Sequence, residues 1–398
     1  MKKIFLCLAL LFSLAQAKKQ ELLDFTPPEE SYVNLENKTC NETCLLKLLE
    51  EKMYLSFLSE FVENKNQVLS NIYAKLLNSI TDFEKNLQKV DDKNAISVKL
   101  ALIIPEKTIK NYSNIIINSS IAYLLKQRAE IKVEVFLIGT EEAQKIEEAL
   151  HKISSQGYKF AIAGFTNKGV KALENYQGDV KIFIPTAHKN NSQVNNENIY
   201  FGSIDYDAQI QKLLEKSNGL NAILSDSGAL SNELNAKIKA QDSNAMIYKI
   251  ADEKVDFART LRGLRGASIF FNTSLIKTAL LSSQIRAHNI RAHTLLSTQL
   301  NYNPAFLSLT QEGDRQKFII ANSIDKNDED LGYLNEMFAQ NLDYNWVAYA
   351  TSVGLDYFYT SFLNTKSERI FEENLENSQF IYNIRLMQGK AGNFEELE

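Results

Sequence analysis

The residues of this chain best suited to covalent chemistry are Cys40 and Cys44, which lie four positions apart. On a helix this spacing places both side chains on one face, with Cα atoms roughly 6 Å apart, within the usual range for a disulfide. The alternative is a redox-active pair, but thioredoxin-like chemistry normally uses Cys-x-x-Cys beside a βαβ unit. We therefore predict an intramolecular disulfide at the start of a helix. So small a loop removes little chain entropy and would stabilise only that helix start.

Histidine and arginine provide the next candidates for a chemical site. His288 and His293 lie five residues apart, which is poor spacing for one helical face, so they do not indicate a metal site. Arg259, Arg262 and Arg265 recur at helical spacing. We interpret them as a solvated face, with an acidic partner or an anionic cell-wall polymer as the alternative.

Motifs of known catalytic and nucleotide-binding sites are absent from the sequence. It contains no G-x-S-x-G, no glycine-rich phosphate loop, no G-x-G-x-x-G and no H-E-x-x-H. The formal net charge of −5 argues against nucleic acid as a partner, because nucleic acid requires a concentrated basic face. We expect no enzyme and no cofactor.

The N-terminus predicts export. Lys2 and Lys3, the apolar stretch 4–15 and the small-residue site ending at Ala17 are typical of a secretory signal peptide over residues 1–17. The apolar stretch is too short to span a bilayer, and no later stretch is long enough. The alternative is a retained membrane anchor. We expect a periplasmic protein without stable membrane insertion, in a compartment where disulfides persist.

The elements that would position a site begin near residue 98, where short β-branched runs alternate with helical stretches. Such alternation is typical of an α/β fold with parallel sheets covered on both faces, in which ligands bind at the carboxyl ends of the strands. Further helices are predicted at 330–340 and 346–362, followed by a closing strand at 380–386. The runs lie at 98–104, 133–138, 160–163, 180–184, 222–224, 267–271 and 318–321.

Residues 18–95 have a different pattern. Residues 18–42 are expected to be extended, and residues 43–95 to form a helical hairpin and a linker. Apolar residues recur at helical spacing from Leu45 to Phe61 and from Val68 to Leu87. They predict an α-hairpin, or one long helix with a break. The hairpin must bury its apolar stripe, either as a cap on the main domain or by docking a partner protein.

The order of these segments resembles the type I periplasmic binding proteins, in particular the leucine/isoleucine/valine-binding branch. It also resembles the activators of penicillin-binding proteins that use the same two-lobed body. The resemblance implies two doubly wound parallel sheets with a three-segment hinge. Lobe 1 would span 96–203 and 325–378, and lobe 2 would span 204–324 and 379–392. The matching segments are a first strand at 98–105, a ligand loop at 163–167, a turn at 184–188, a crossover at 200–209, the Asp256-Phe257 pair and a helix at 349–356.

The resemblance also implies a ligand site, transferred position by position. Hydroxyls and amides at strand ends can orient a small polar ligand, although the same residue types are ordinary helix caps and turn formers. The family's amino-acid binders need a carboxylate in lobe 2, where this chain has an asparagine, so an α-amino acid is not the expected ligand. The implied site residues are Thr166, Asn167, Thr186 and His188 in lobe 1, Asp205 and Tyr206 at the crossover, and Asp226, Ser227, Asn272 and Thr298 in lobe 2.

Two functions follow from the resemblance. The first is a non-catalytic periplasmic solute-binding or sensing protein that holds a small polar solute between two lobes. The alternative is a periplasmic scaffold or regulator that docks on an envelope protein through its surface and N-terminal helices. A cell-wall synthase and the flagellar motor are plausible clients by fold analogy. The sequence leaves both functions open and does not indicate an oligomeric state.

Overall fold

The computed structural model describes residues 39–51, 53–62, 66–76, 97–127, 130–250, 263–390 and 392–397. The chain divides into two compact units, Met1–Asn94 and Ala95–Glu398. The predicted signal peptide at 1–17 and residues 18–38 of the extended segment lie outside the described residues. So do Asp256, Phe257, Arg259 and Arg262.

The N-terminal unit is helical where it is described. Its helices are α1 (Glu42–Glu50), α2 (Tyr54–Glu60) and α3 (67–76). A small apolar core joins them, formed by Leu45, Leu48, Phe57 and Leu69. The predicted apolar periodicity is therefore present from Leu45 to Leu76. Its predicted continuation to Leu87, and the predicted linker up to residue 95, lie outside the described residues. Over the described residues the periodicity is divided among three helical segments, because Glu51 and Met53 are not helical and the chain leaves helical conformation again after Glu60.

Cys40 and Cys44 form a disulfide, which confirms the predicted pairing. Their Cα atoms are 5.4 Å apart. Cys40 lies just before the N-cap residue Asn41, whose side chain accepts a hydrogen bond from the backbone N–H of Cys44 at 3.0 Å. The bridge and the cap therefore stabilise the same first turn of α1.

The larger unit contains two seven-stranded sheets within the described residues. The first has the strand order β11-β12-β5-β4-β3-β1-β2, and the second β14-β13-β10-β9-β8-β6-β7. Pairing is parallel except at β11/β12, β10/β13 and β13/β14, which confirms the α/β fold class. The strands are β1 (Ser97–Ile104), β2 (Glu130–Leu137), β3 (Phe160–Ala163), β4 (Lys181–Ile184), β5 (Ile199–Phe201), β6 (Asn221–Ser225), β7 (Met246–Lys249), β8 (Ser268–Asn272), β9 (Leu295–Ser297), β10 (Phe318–Asn322), β11 (Asn374–Glu376), β12 (Gln379–Ile381), β13 (Arg385–Gly389) and β14 (Phe394–Glu396).

Helices connect most of the strands. Shorter helical turns occur at Lys189–Asn191, Gln299–Asn301 and Tyr359–Leu363. The helices are α4 (Glu106–Ile109), α5 (Asn111–Lys126), α6 (Ala143–Ser155), α7 (Asn167–Lys171), α8 (Tyr206–Leu214), α9 (Ala229–Gln241), α10 (Leu275–Ala287), α11 (Pro304–Leu309), α12 (Glu312–Arg315), α13 (Glu329–Met337) and α14 (Trp346–Phe358).

The apolar core follows the two-residue period of the strands. Ile223 and Phe270 in the second sheet belong to a cluster that also contains Leu102 of β1 and Ile210 of α8. The neighbouring residues, including Phe271, belong to a separate cluster of the second sheet. One face of each sheet therefore contributes residues to one shared apolar core.

The chain passes between the sheets three times. These crossings follow β5, follow β10 and lie between β12 and β13. The sequence predicts one strand at 380–386, but the structure assigns 379–381 to the first sheet and 385–389 to the second. The third crossing is therefore the short segment 382–384. The assignment of complete lobes to 96–203 with 325–378 and to 204–324 with 379–392 stays a prediction.

Candidate functional site

A cavity of about 210 Å³ lies where the three crossings meet. Each crossing contributes to its wall: Asp205 from the first, Ser323 from the second and Tyr382 from the third. His188, on the loop after β4, and the apolar Phe380 also line the cavity. The cavity therefore combines ionisable, polar and apolar surface at the junction of the two sheets.

Asp205 is fixed in the cavity wall by its role as the N-cap of α8. Its Oδ1 atom accepts hydrogen bonds from the backbone N–H groups of Asp207 at 2.9 Å and Ala208 at 3.0 Å. Aspartate is a favoured N-cap residue, so the local sequence sets this geometry. The second oxygen, Oδ2, faces His188, with 3.7 Å between Oδ2 and Nε2. That separation is too long for a hydrogen bond, so Oδ2 can accept one from a bound molecule.

His188 presents a hydrogen-bond donor to the same cavity. Its Nδ1 atom accepts from the backbone N–H of Asn190 at 3.2 Å, which places the proton of a neutral imidazole on Nε2. Burial lowers the pKa of His188, and the nearby Lys237 lowers it further, whereas Asp205 and Asp207 act in the opposite direction. The side chain is therefore neutral at pH 7 and offers an N–H group beside Asp205.

Buried amide and hydroxyl groups brace the cavity wall. Gln379 donates to the carbonyl oxygens of Ser203 at 3.0 Å and Phe380 at 2.8 Å. Gln209 donates to the Ser323 hydroxyl at 2.7 Å, and the Tyr382 hydroxyl donates to a backbone carbonyl of the first crossing. Of the side chains that donate these hydrogen bonds, only Gln209 is part of the crossover segment matched in the sequence.

The lysine ammonium groups around the cavity each have a partner within the protein. Lys189 lines the cavity, but its Nζ atom donates to the carbonyl oxygen of Val194. Burial lowers the pKa of this lysine. Lys237 forms an ion pair with Asp207 at 2.5 Å. In contrast, the lining carboxylate of Asp205 keeps one oxygen for a bound molecule.

The other predicted lobe 1 residues lie outside this cavity. Thr166 is the N-cap of α7, and its backbone N–H and hydroxyl both donate to the carboxylate of Glu141, the N–H at 2.6 Å. Glu141 itself is only 3 % exposed. The Thr186 hydroxyl donates to the carbonyl oxygen of Phe165 at 2.8 Å, and Asn167 is exposed. Nothing in the sequence indicated that Glu141 would occupy the hydrogen-bonding groups of Thr166.

The predicted lobe 2 residues also lie outside the cavity. Asp226 accepts from the backbone N–H groups of Gly228 and Ser274, each at 2.9 Å, and Ser227 is exposed. Asn272 is fully buried and donates to Asn235 at 2.8 Å.

Two further predicted residues are internal. Thr298 is fully buried, and within the described residues its hydroxyl has no hydrogen-bond partner. Tyr206 is 9 % exposed, and burial, with smaller contributions from Tyr112 and Glu233, raises its pKa. The structure thus brings His188 and Asp205 together on one cavity, and a ligand role for all ten predicted residues stays a prediction.

Metal ligation and membrane crossing have no candidate in the part of the chain that the structure describes. Over those ranges, no group of three or more His, Cys, Asp or Glu side chains is placed to hold a metal ion. None of the helices in the same ranges is long and apolar enough to cross a membrane.

Comparison with known proteins establishes the fold. No protein-family model matches the sequence, and no match was found among curated proteins. A protein provisionally described as a branched-chain amino acid ABC transporter from Rhodospirillum rubrum has a TM-score of 0.54 at 10% identity, covering 76% of this chain and 100% of that chain. An ABC transporter solute-binding protein from R. palustris, in complex with benzoate, has a TM-score of 0.52 at 14% identity, covering 76% and 96%.

Full-length LpoA from Haemophilus influenzae covers more of this chain. Its TM-score is 0.51 at 11% identity, and the match covers 92% of this chain and 70% of that chain. At such identities the likeness shows the fold alone. The larger unit therefore has the type I periplasmic binding protein fold, which confirms the resemblance inferred from the sequence.

Proposed function

We propose that this protein is a non-catalytic periplasmic solute-binding or sensing protein that holds a small polar solute in the cavity at the three crossings. The observation that carries the proposal is the cavity itself, of about 210 Å³. An apolar cavity of about 150 Å³ can admit benzene, so the volume suits a solute of roughly that size or somewhat larger. His188 and Asp205 supply a donor and an acceptor to orient it.

The position of the cavity supports a sensing role. A solute bound there would contact residues from each of the three segments that connect the sheets. A ligand shifts a conformational equilibrium only if it binds one state better than another. Binding to all three connections makes such a difference in affinity possible, because a change in lobe orientation alters the cavity wall. The solved proteins with this fold include solute-binding proteins in complex with benzoate and 4-hydroxybenzoate.

A thermal-shift screen tests the proposal. The panel contains amino acids, amides, sugars, nucleosides, amines and benzoates. A solute present at one hundred times its dissociation constant should add about 2.7 kcal/mol to the free energy of unfolding. Ala208→Leu fills the cavity from its lining position on α8 and should abolish the shift. Ala236→Leu, at an exposed position on α9, is the matched control and should retain it.

Two results would contradict this proposal. The first is that no solute in the panel raises the melting temperature of the wild-type protein. The second is an Ala208→Leu variant that responds to the solute as the wild type does.

One observation favours a second function, docking on an envelope protein. The solute-binding proteins cover 76% of this chain, which equals the 304 residues of the larger unit in a chain of 398. LpoA covers 92%, so its match extends into the N-terminal unit. We therefore propose, as the second candidate, a scaffold or regulator that contacts a cell-wall synthase or the flagellar motor through the N-terminal helices.

Binding to purified penicillin-binding proteins of the same bacterium tests this second candidate. The full chain and a variant lacking residues 43–91 would be compared by biolayer interferometry. Docking predicts saturable binding by the full chain that is lost in the deletion variant, while solute binding to the larger unit persists. Equal binding by both chains, or binding by neither, would reject the N-terminal helices as the docking element for these synthases.

A further inference from the structure

The charge distribution of the cavity restricts the solutes that it can accept. Two carboxylates, Asp205 and Glu376, line it. Oδ1 of Asp205 is used by the cap of α8, and Oδ2 faces the cavity beside His188. Glu376 is exposed at the rim. An anion entering the cavity would therefore approach two negatively charged carboxylates, which would repel it.

The described lining holds less positive than negative charge, with one lysine against two carboxylates. Lys189 is its sole permanent cation, and its ammonium group donates to the carbonyl oxygen of Val194. Lys212, on α8 but outside the lining, donates to the carbonyl oxygen of Ile384. A carboxylate solute would need an arginine, or a lysine whose ammonium points into the cavity, to balance its charge. Neither lines the cavity within the described residues.

His188 does not change this balance. Its Nδ1 atom accepts from a backbone N–H, so the neutral ring presents Nε2–H. That group can donate to a hydroxyl or carbonyl oxygen. The Nε2 and Oδ2 atoms are 3.7 Å apart, which is close to the separation of an amine and an oxygen on adjacent carbon atoms. One small molecule can therefore engage both groups at once.

We propose that the cavity takes a small solute carrying a protonated amine and, on an adjacent carbon, a hydroxyl or amide oxygen. In this arrangement the ammonium group donates to Oδ2 of Asp205, and the oxygen accepts from Nε2–H of His188. Phe380 and Ile384 in the lining contact the carbon skeleton. The solute class is thus the amino alcohols and amino amides without a carboxylate. This inference rests on the proposed function.

Isothermal titration of the full chain at pH 7 with matched small probes tests the solute class. The amines are ethanolamine and glycinamide, the neutral analogue is ethylene glycol, and the carboxylate analogue is glycolate. We expect the amines to bind at least tenfold more tightly than ethylene glycol, and glycolate to bind most weakly.

Variants of the lining carboxylates test whether the ammonium group of the solute binds at Asp205. Asp205→Asn keeps a side-chain oxygen that can cap α8 but removes the charge, so amine affinity should fall at least tenfold while ethylene glycol affinity changes less than twofold. Asp179→Asn, an exposed position outside the lining, makes the same charge change and should leave amine affinity within twofold. Glu376→Gln, which changes only an exposed side chain, should weaken amine binding two- to threefold and provides a test that does not depend on the cap.

The outcomes separate the inference from the proposed function. Tighter binding of glycolate than of the amines, or unchanged amine affinity in both Asp205→Asn and Glu376→Gln, would overturn the amine class and leave solute binding intact. Loss of amine binding in Asp226→Asn but not in Asp205→Asn would show that the amine binds at the predicted lobe 2 loop. This result would overturn the assignment of the amine site to Asp205. Failure of every solute in the thermal-shift panel would remove the proposed function itself.

Discussion

Replacing Gly354 with alanine is expected to destabilise the larger unit, because the ring of Phe183 occupies the space that a Cβ atom would take. Gly354 lies in α14, and the ring is fully buried. A Cβ at Gly202, in the first crossing, would overlap the same ring. Phe358 and Phe380 also contact the ring edge-to-face, at centroid distances of 6.0 and 5.6 Å. The ring therefore has little room to move aside.

Two opposing effects set the change in the free energy of unfolding that Gly354→Ala should cause. Alanine is more favourable than glycine in a helix by about 1 kcal/mol. Inserting a methyl group into a filled core costs about 1–3 kcal/mol, and the constraint on Phe183 places this site at the upper end. We expect a net loss of about 2 kcal/mol in the free energy of unfolding. Gly332→Ala in α13 is the matched control, because its Cβ would meet only the side-chain end of Asn327. It should be neutral or stabilise the protein by up to about 1 kcal/mol.

Urea denaturation followed by tryptophan fluorescence measures both variants. The chain contains one tryptophan, Trp346 at the start of α14, so the signal reports the larger unit. Phe183→Leu in the Gly354→Ala background should recover part of the loss and give a coupling energy of about 1 kcal/mol. Equal stability of Gly354→Ala and wild type, or equal destabilisation by both alanines, would refute the close approach of Gly354 and Phe183.

Three further predictions use simple measurements. Burial raises the pKa of Asp314, but hydrogen bonds from an arginine and a backbone N–H outweigh this and hold it below the usual value. Its contribution to stability is therefore present above the unfolded-state pKa near 4 and lost as the pH falls further. The stability difference between wild type and Asp314→Asn should shrink between pH 7 and pH 3, and a constant difference in urea denaturation would contradict this. Replacing Cys40 and Cys44 with serine should cost about 2 kcal/mol or less, seen as faster hydrogen exchange in α1, with the Trp346 transition unchanged. Asp205→Ala should lower the stability reported by Trp346 by about 1 kcal/mol through loss of the α8 cap, whereas Asp205→Asn should retain it, so equal losses would argue against capping.

Local patterns in the sequence predicted seven of the fourteen described strands as separate runs. The predicted run 160–163 coincides with β3, and the run 98–104 differs from β1 by one residue. The edge strand β7 was missed, because Met246 and Ile247 are exposed and the segment lacks a buried run. The stretch 380–386 was predicted as one strand, because an apolar run does not show which sheet each half will join. Sheet membership depends on pairing with distant segments, which one sequence does not reveal.

The candidate site was predictable only in part, for a similar reason. His188 and Asp205 follow strand ends in segments that matched the resemblance, and both line the cavity. Gln379 and Tyr382 were missed, because their partners in the first crossing are 176 and 180 residues away in sequence. The pairing of Thr166 with Glu141 was also missed, since a surface-type glutamate provides no signal that it will be buried.

The hydrogen bond from Tyr382 to Gly202 belongs to a set that ties the three inter-sheet connections to one another. Gln209 and Ser323 link the first to the second, and Arg385 donates to the carbonyl oxygen of Ile324 in the second. If the three connecting segments moved independently, the angle between the two halves of the larger unit could vary continuously. Because hydrogen bonds link the three segments to one another, the segments must rearrange together. Fluorescence energy transfer between dyes on the two halves should therefore show discrete populations of transfer efficiency.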